Sequence, residues 1–164
     1  MLEHISLSEL QRRVRAAIDG AFALPLWVSA EISELKVNYS GHCYLELVEK
    51  GATDGVPRAQ ARATIWRSRY AQLAPWFASQ TGQPLAAGVR ILARVAATYH
   101  EVYGFSLNII DIDPSYTLGD MELRRQQTIA QLHADGVWDM NRELPLGPIV
   151  RRLAVVSRAN AAGY

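Results

Sequence analysis

His42 and Cys43 stand side by side in the stretch "SGHCYLEL", and Cys43 is the only cysteine of the chain. Such a pair could belong to a metal site or to a thiol nucleophile with its base. A tetrahedral metal site needs three or four converging ligands, yet His4, His100 and His133 fall in a terminus, a loop and a helical stretch without ligand-like spacing. A nucleophilic cysteine needs a positioned base and a lowered pKa. Cys43 instead alternates in phase with Leu45 and Leu47, as a small buried hydrophobe does. Cys43 is therefore expected to face a core, with His42 and Tyr44 facing outward. Asp111 and Asp113 in "DIDP" have no third acidic ligand spaced beside them, and Glu31 and Glu34 are expected to face solvent. Phosphate-binding Gly-rich loops, nucleophile elbows and zinc patterns are absent from the sequence. No catalytic residue and no metal ligand is assigned in this chain.

A second set of residues suits a different chemistry. Cations alternate with flat rings at Lys36, Tyr39, His42, Tyr44, Arg62, Trp66 and Arg67, and again at Arg94, Tyr99 and Tyr103. Single-stranded nucleic acid needs cations that track phosphates and rings on which bases stack, at about 1–3 kcal/mol per stacked base. The competing reading is plainer: Arg alternates with Ala because one strand face is wet, and some of the rings close the ends of a barrel. Pattern alone leaves the two readings level.

These side chains need elements to hold them. "SLSELQRRVRAAIDGAF" has capping-box spacing at Ser6 and Glu9 and apolar residues at Leu7, Leu10, Val14 and Ile18, which predicts an amphipathic helix ending near Gly20. Short alternating runs follow. Val28, Ala30 and Ile32 share one side of "WVSAEISELK", and the turn "NYSG" joins that run to Cys43, Leu45 and Leu47. "RAQARATIW" places Ala59, Ala61, Ala63 and Ile65 inward. A helical piece carrying Tyr70, Leu73 and Phe77, interrupted by Pro75, comes next. "VRILARVAATY" then turns Val89, Ile91, Ala93 and Val95 inward with Arg90 and Arg94 outward, and the loop "HEVYG" leads to a fifth strand stopped by Pro114.

Five strands with one helix between the third and fourth is the plan of an OB-fold barrel; a β-sandwich, the competitor, usually needs about seven strands. Beyond Pro114, Met121, Leu123, Ile129 and Leu132 keep a helical period up to Gly136, which predicts a connector helix. A proline-punctuated loop follows, and then "RLAVVS", an apolar run of the type found in buried parallel strands.

The chain has 164 residues and a formal net charge of +1, so it can bury a core but advertises no polybasic or acidic tail. A single cysteine, the lack of a signal-like start and the lack of a membrane-length apolar run give the expectation of a soluble, cytoplasmic protein.

The quoted segments, together with "LHADGVWDMNRELPLGPIVRRLAVVSRANAAGY", resemble the large subunit of exodeoxyribonuclease VII, with "EISELK" and "SGHCY" among the more specific parts. The resemblance implies a protein that degrades single-stranded DNA from both ends into oligonucleotides. It implies an N-terminal OB-fold that binds the strand, a catalytic domain, and a helical region that binds the small subunit. In that family a strand ending in Thr-Ser leads through paired alanines to an acidic catalytic residue. Here Val156, Ser157, Ala161 and Ala162 occupy that stretch, with Val156 where Thr is usual, and the sequence stops before the acidic position.

The expectation is thus a mainly β chain: an N-terminal helix over 1–23, an OB-fold over 24–114, a connector helix and loop over 115–148, and the truncated start of an α/β catalytic domain over 149–164. The expected partners are single-stranded DNA through the barrel and the small subunit through a region beyond this chain, with no membrane and no cofactor in this part. An interaction module that uses exposed apolar residues such as Trp76 and Phe77, without DNA, is the alternative. An RNA-binding barrel ranks behind both.

Overall fold

A computed structural model describes residues 4–51 and 56–144. Helix α1 (Leu7–Ala21) is followed by strands β1 (Leu26–Val37), β2 (Cys43–Lys50) and β3 (Pro57–Ile65), helix α2 (Arg67–Thr81), strands β4 (Arg90–His100) and β5 (Gly104–Asp113), and helix α3 (Pro114–Ala134). The strands close a barrel in the order β1-β2-β3-β5-β4, with β4 returning to β1. Neighbours are antiparallel except β3 and β5, which pair in parallel through Ala63–Leu107 and Thr64–Asn108 only. This is the five-stranded barrel of an OB-fold.

Alternation decides the core. Cys43, Leu45 and Leu47 of β2, Ala63 and Ile65 of β3, and Ile91, Ala93 and Val95 of β4 all point inward and are buried. Ala59 does not follow them. It is exposed, and Ala61 only half-buried, because the β2–β3 ladder runs on to Lys50 and Pro57, beyond the short β3–β5 seam that covers the inner face.

In β1 the alternation is broken by a bulge: Ile32 pairs with Leu47 and Glu34 with Glu46, which leaves Ser33 as the extra residue. The Ser33 hydroxyl donates to the Glu46 carbonyl at 3.1 Å. A strict two-residue period from Val28, Ala30 and Ile32 would have carried Glu34 and Lys36 inward; the bulge turns both out and brings Leu35 against the core.

Helix α2 is continuous through Pro75 rather than interrupted by it. One main-chain hydrogen bond is lost there, but Leu73, Phe77 and Thr81, spaced by one turn, are all buried, and that packing outweighs the missing bond. Phe77 is accordingly a core residue with 0% exposure and not an exposed one, whereas Trp76 on the other side of the helix is exposed.

Helix α1 starts where the capping box predicts, with the Ser6 hydroxyl accepting the Glu9 N–H at 3.2 Å. It lies on β4. Gln11 accepts a hydrogen bond from the Tyr99 hydroxyl, and Arg15 pairs with Glu101 at 3.1 Å. Val14 and Ile18 are half-buried, while Leu7 and Leu10 of the same apolar stripe are exposed.

Helix α3 begins at Pro114 itself, earlier than its apolar period indicates. Proline suits the first helical position, and Asp113 Oδ1 caps it by accepting the Ser115 N–H at 2.8 Å. Its first turns are fixed by the Thr117 hydroxyl, which donates to the Arg90 carbonyl at 2.8 Å, and by an Arg90–Asp120 ion pair. Described residues up to Leu123 belong to one compact unit, and those from Arg124 to a second. In the second, Gly136 (φ +70°) ends α3 with the paired hydrogen bonds Val137 N–H to Leu132 and Gly136 N–H to His133, and His133 packs its ring on Trp138. The "RLAVVS" run and the whole of 149–164 lie outside the described residues.

Candidate nucleic-acid interface

The outward face of β1, β2 and β3 is an ordered lattice of side chains. Lys36 stands opposite Tyr44, and Tyr44 opposite Thr64. In the next outward row, Glu34 stands opposite Glu46, and Glu46 opposite Arg62. At the other end, the His42 ring meets Trp66 edge-on with centroids 5.0 Å apart. Because side chains alternate along β2, β3 and the part of β1 beyond its bulge, these rings and charges project from one surface while Leu45 and Ala63 between them fill the barrel.

The β4–β5 loop completes the site. Tyr103 from that loop, with Phe105 and Ser106 from the start of β5, closes the side of a groove of about 450 Å³ whose floor is formed by Lys36, Tyr44, Arg62 and Thr64. Tyr103 is exposed and its ring tilts against His100 at 4.7 Å, where His100 Nδ1 accepts the Val102 N–H at 3.1 Å and stiffens the loop.

The β1–β2 turn extends the same surface. Asn38 Oδ1 accepts hydrogen bonds from the Ser40 hydroxyl at 2.8 Å and the His42 N–H at 3.0 Å. This frame leaves the Tyr39 ring fully exposed. Gly41 takes φ +85°, and a Cβ there would sit 3.0 Å from the Arg67 Cγ, so the turn lies directly on the start of α2. Trp66, at the cap of α2, is half-exposed.

Charge pairing separates the cations into two groups. Arg12 and Arg13 pair with Glu9, Arg15 with Asp19 and Glu101, Lys50 with Glu31, Arg90 with Asp120 and Arg142 with Asp139. Among the described residues, Lys36, Arg58, Arg62, Arg67, Arg69 and Arg94 have no acidic partner. Three of these belong to the groove and its extension toward α2. Cations without internal partners, beside rings without full cover, are the combination a single strand requires.

The residues expected from the sequence do not all converge. Lys36, Tyr44, Arg62 and Tyr103 line the groove, and Tyr39, His42, Trp66 and Arg67 stand at its β1–β2 end. Arg94 lies on β4 between Trp27 and Asp111, outside the β1–β2–β3 ladder and at the opposite end of β1 from Lys36. Tyr99 is half-buried, with its hydroxyl given to Gln11 of α1. Phe105, Thr64 and Ser106 also line the groove, although no local pattern marks them; Phe105 follows the core phase of Leu107 and Ile109 and reads as interior, but it lies where the barrel opens. Cys43 is fully buried, and burial pushes its thiol up to about 11, the opposite of an activated nucleophile. Among the described residues no three His, Cys, Asp or Glu side chains gather as a metal site would require, and no helix is long and apolar enough to cross a membrane.

The chain is similar in sequence to known proteins. The family described as "OB-fold nucleic acid binding domain" matches residues 5–113. The exodeoxyribonuclease 7 large subunit of Deinococcus radiodurans is 39% identical over 98% of this chain and 39% of its own length. That of Xanthomonas campestris is 30% identical over 94% of this chain and 31% of its own length. The chain therefore spans about a third of the length of the curated relatives it matches. Among solved structures, the dimeric N-terminal domain of PriB protein from Thermoanaerobacter tencongensis overlays 54% of this chain and 92% of that one at TM-score 0.35 and 13% identity. With a closed β1-β2-β3-β5-β4 barrel, a groove on its outer face and the family match across both, this chain belongs to the OB-fold nucleic acid binding domain family.

Proposed function

We propose that the barrel binds single-stranded DNA in the groove on β1, β2 and β3 and presents it to a nuclease domain of a longer protein, an exodeoxyribonuclease VII large subunit. The observation that carries this reading is the meeting of unpaired Lys36 and Arg62 with Tyr44, Tyr103 and Phe105 in one groove. Lys36 and Arg62 neutralise phosphates, the rings stack bases, and Tyr39, Trp66 and Arg67 continue the track past the β1–β2 turn.

Residues 24–114 act as the binding domain and 115–148 as the connector. The chemistry lies in a catalytic domain that starts near 149 and extends beyond Tyr164, so this chain alone binds without cutting. The whole protein hydrolyses single-stranded DNA from both ends in the cytoplasm and joins its small subunit through a later region. The similarity to the large subunits over nearly the full chain supports this.

Titrating a fluorescent oligonucleotide with the chain at several salt concentrations tests the binding. Affinity should fall steeply with salt, because phosphate neutralisation releases counterions. Absence of binding at low salt, or binding indifferent to salt, would remove the proposal. A competing RNA strand of the same sequence should displace the DNA poorly.

A second reading has one observation in its favour: Leu7 and Leu10 of α1 are exposed on its apolar stripe. If α1 serves to pack on the remainder of the large subunit, a longer form of the protein should protect these residues from solvent, whether or not DNA is bound.

A further inference from the structure

The groove contains a carboxylate that the fold does not use. Glu34 and Glu46 are direct cross-strand partners, and like charges placed opposite one another destabilise a sheet. Glu46 is held in place: one oxygen accepts from the Gln60 amide and the other from the Ser33 hydroxyl at 3.3 Å. Glu34 has no hydrogen bond or ion pair among the described residues. It stands two residues from Lys36 on the same face and lines the groove with Tyr44 and Phe105. Arg62, directly opposite Glu46, forms no ion pair with it either, so the acids do not serve to neutralise the cations. A local rule broken without gain to the fold points to function.

A carboxylate in such a groove accepts hydrogen bonds from a base edge, as acidic side chains do from the exocyclic amino group of cytosine, and single strands expose those edges to protein. Guanine offers two adjacent donors, its ring N–H and its amino group, which fit both oxygens of one carboxylate. Thymine places a lone N–H between two carbonyl oxygens, which repel it. We infer that Glu34 is a specificity-determining residue that reads the edge of a base stacked in the groove and favours guanine over thymine. The inference rests on the groove being the single-strand site.

The test compares two labelled strands of equal length, one all thymine and one thymine with isolated guanines that cannot fold on themselves. Each is titrated against the 164-residue chain and its Glu34→Ala variant. The chain should bind the guanine-containing strand about fivefold or more tightly, the low end of the discrimination a paired base edge provides, and the variant should bind both strands alike. Equal affinity of the unaltered chain for the two strands overturns the inference. So does a variant that gains affinity for both by the same factor, since Glu34 would then only repel phosphates. Failure of the unaltered chain to bind either strand at low salt overturns the binding site itself, and is told apart because no affinity remains to compare. Glu34 is exposed and outside the core, and an unchanged thermal transition of the variant verifies that its fold is intact.

Discussion

His42 Nδ1 accepts the main-chain N–H of Arg67 at 3.1 Å. Helix α2 has no other side-chain cap, since its cap residue is Trp66 and its first turn carries no acid. A residue of the β1–β2 turn thus caps a helix from outside it, and because the amide is the donor, Nδ1 carries no proton. The bond joins the β1–β2 turn to the start of α2, beside the edge-on contact of the His42 and Trp66 rings. Replacing His42 with Ala should cost about 1 kcal/mol of stability, the usual size of a lost helix cap, read as a lower urea midpoint with an unchanged slope. An unchanged midpoint would mean that water caps α2 equally well.

Lys36→Ala and Arg62→Ala should each weaken oligonucleotide binding and reduce the slope of log K against log salt by about 0.7 for each phosphate no longer neutralised. Arg90→Ala is the control, since Arg90 already pairs with Asp120. Parallel salt measurements on the three variants should leave only the control with the original slope.

Tyr44→Ala should lower DNA affinity by about 1–3 kcal/mol, the worth of one stacked base, with little change in melting temperature because the ring is half-exposed. Tyr99→Phe should show the reverse pattern. It loses the bond to Gln11 and loosens α1, while oligonucleotide affinity stays as it was. Calorimetric melting and anisotropy titration on both variants separate the two roles.

Phe77→Ala removes a fully buried ring from the core, so a loss of about 3–5 kcal/mol is expected. Trp76→Ala, its exposed neighbour, should cost far less. Denaturant unfolding of the two variants verifies the assignment of the buried face of α2.

Burial raises the Cys43 thiol to about 11, and burial together with Cys43 raises the Tyr70 hydroxyl. Both groups are neutral when protonated, so the folded state retains protons that the unfolded state has released. Stability from this source is complete below the ordinary thiol range and is lost as pH rises through about 11. The loss should reach about 3 kcal/mol for the thiol, two pH units at about 1.4 kcal/mol each. Unfolding free energy measured from pH 8 upward should therefore decline, and Cys43→Ala should flatten the decline. A thiol reagent should react with Cys43 at neutral pH only after denaturation.

The alternation of Cys43, Leu45 and Leu47 against Tyr44 and Glu46 was enough to set the inner and outer faces of β2, because a period of two leaves a strand no other register once one face must be buried. The same logic gave the strand count, the placement of α2 between β3 and β4, and the cations and rings as a class. Local sequence could not reveal where the period fails. The Ser33 bulge reverses the phase of β1 and turns Glu34 and Lys36 into the groove, and a bulge is defined only by the strand it pairs with. Nor could sequence separate Arg62 from Arg94, two arginines on outward strand positions, since β1 and β5 flank β4 while β2 and β5 flank β3. Which face each cation shares, and with which rings, depends on closure of the barrel, and closure joins residues too far apart in the chain for any local pattern to relate.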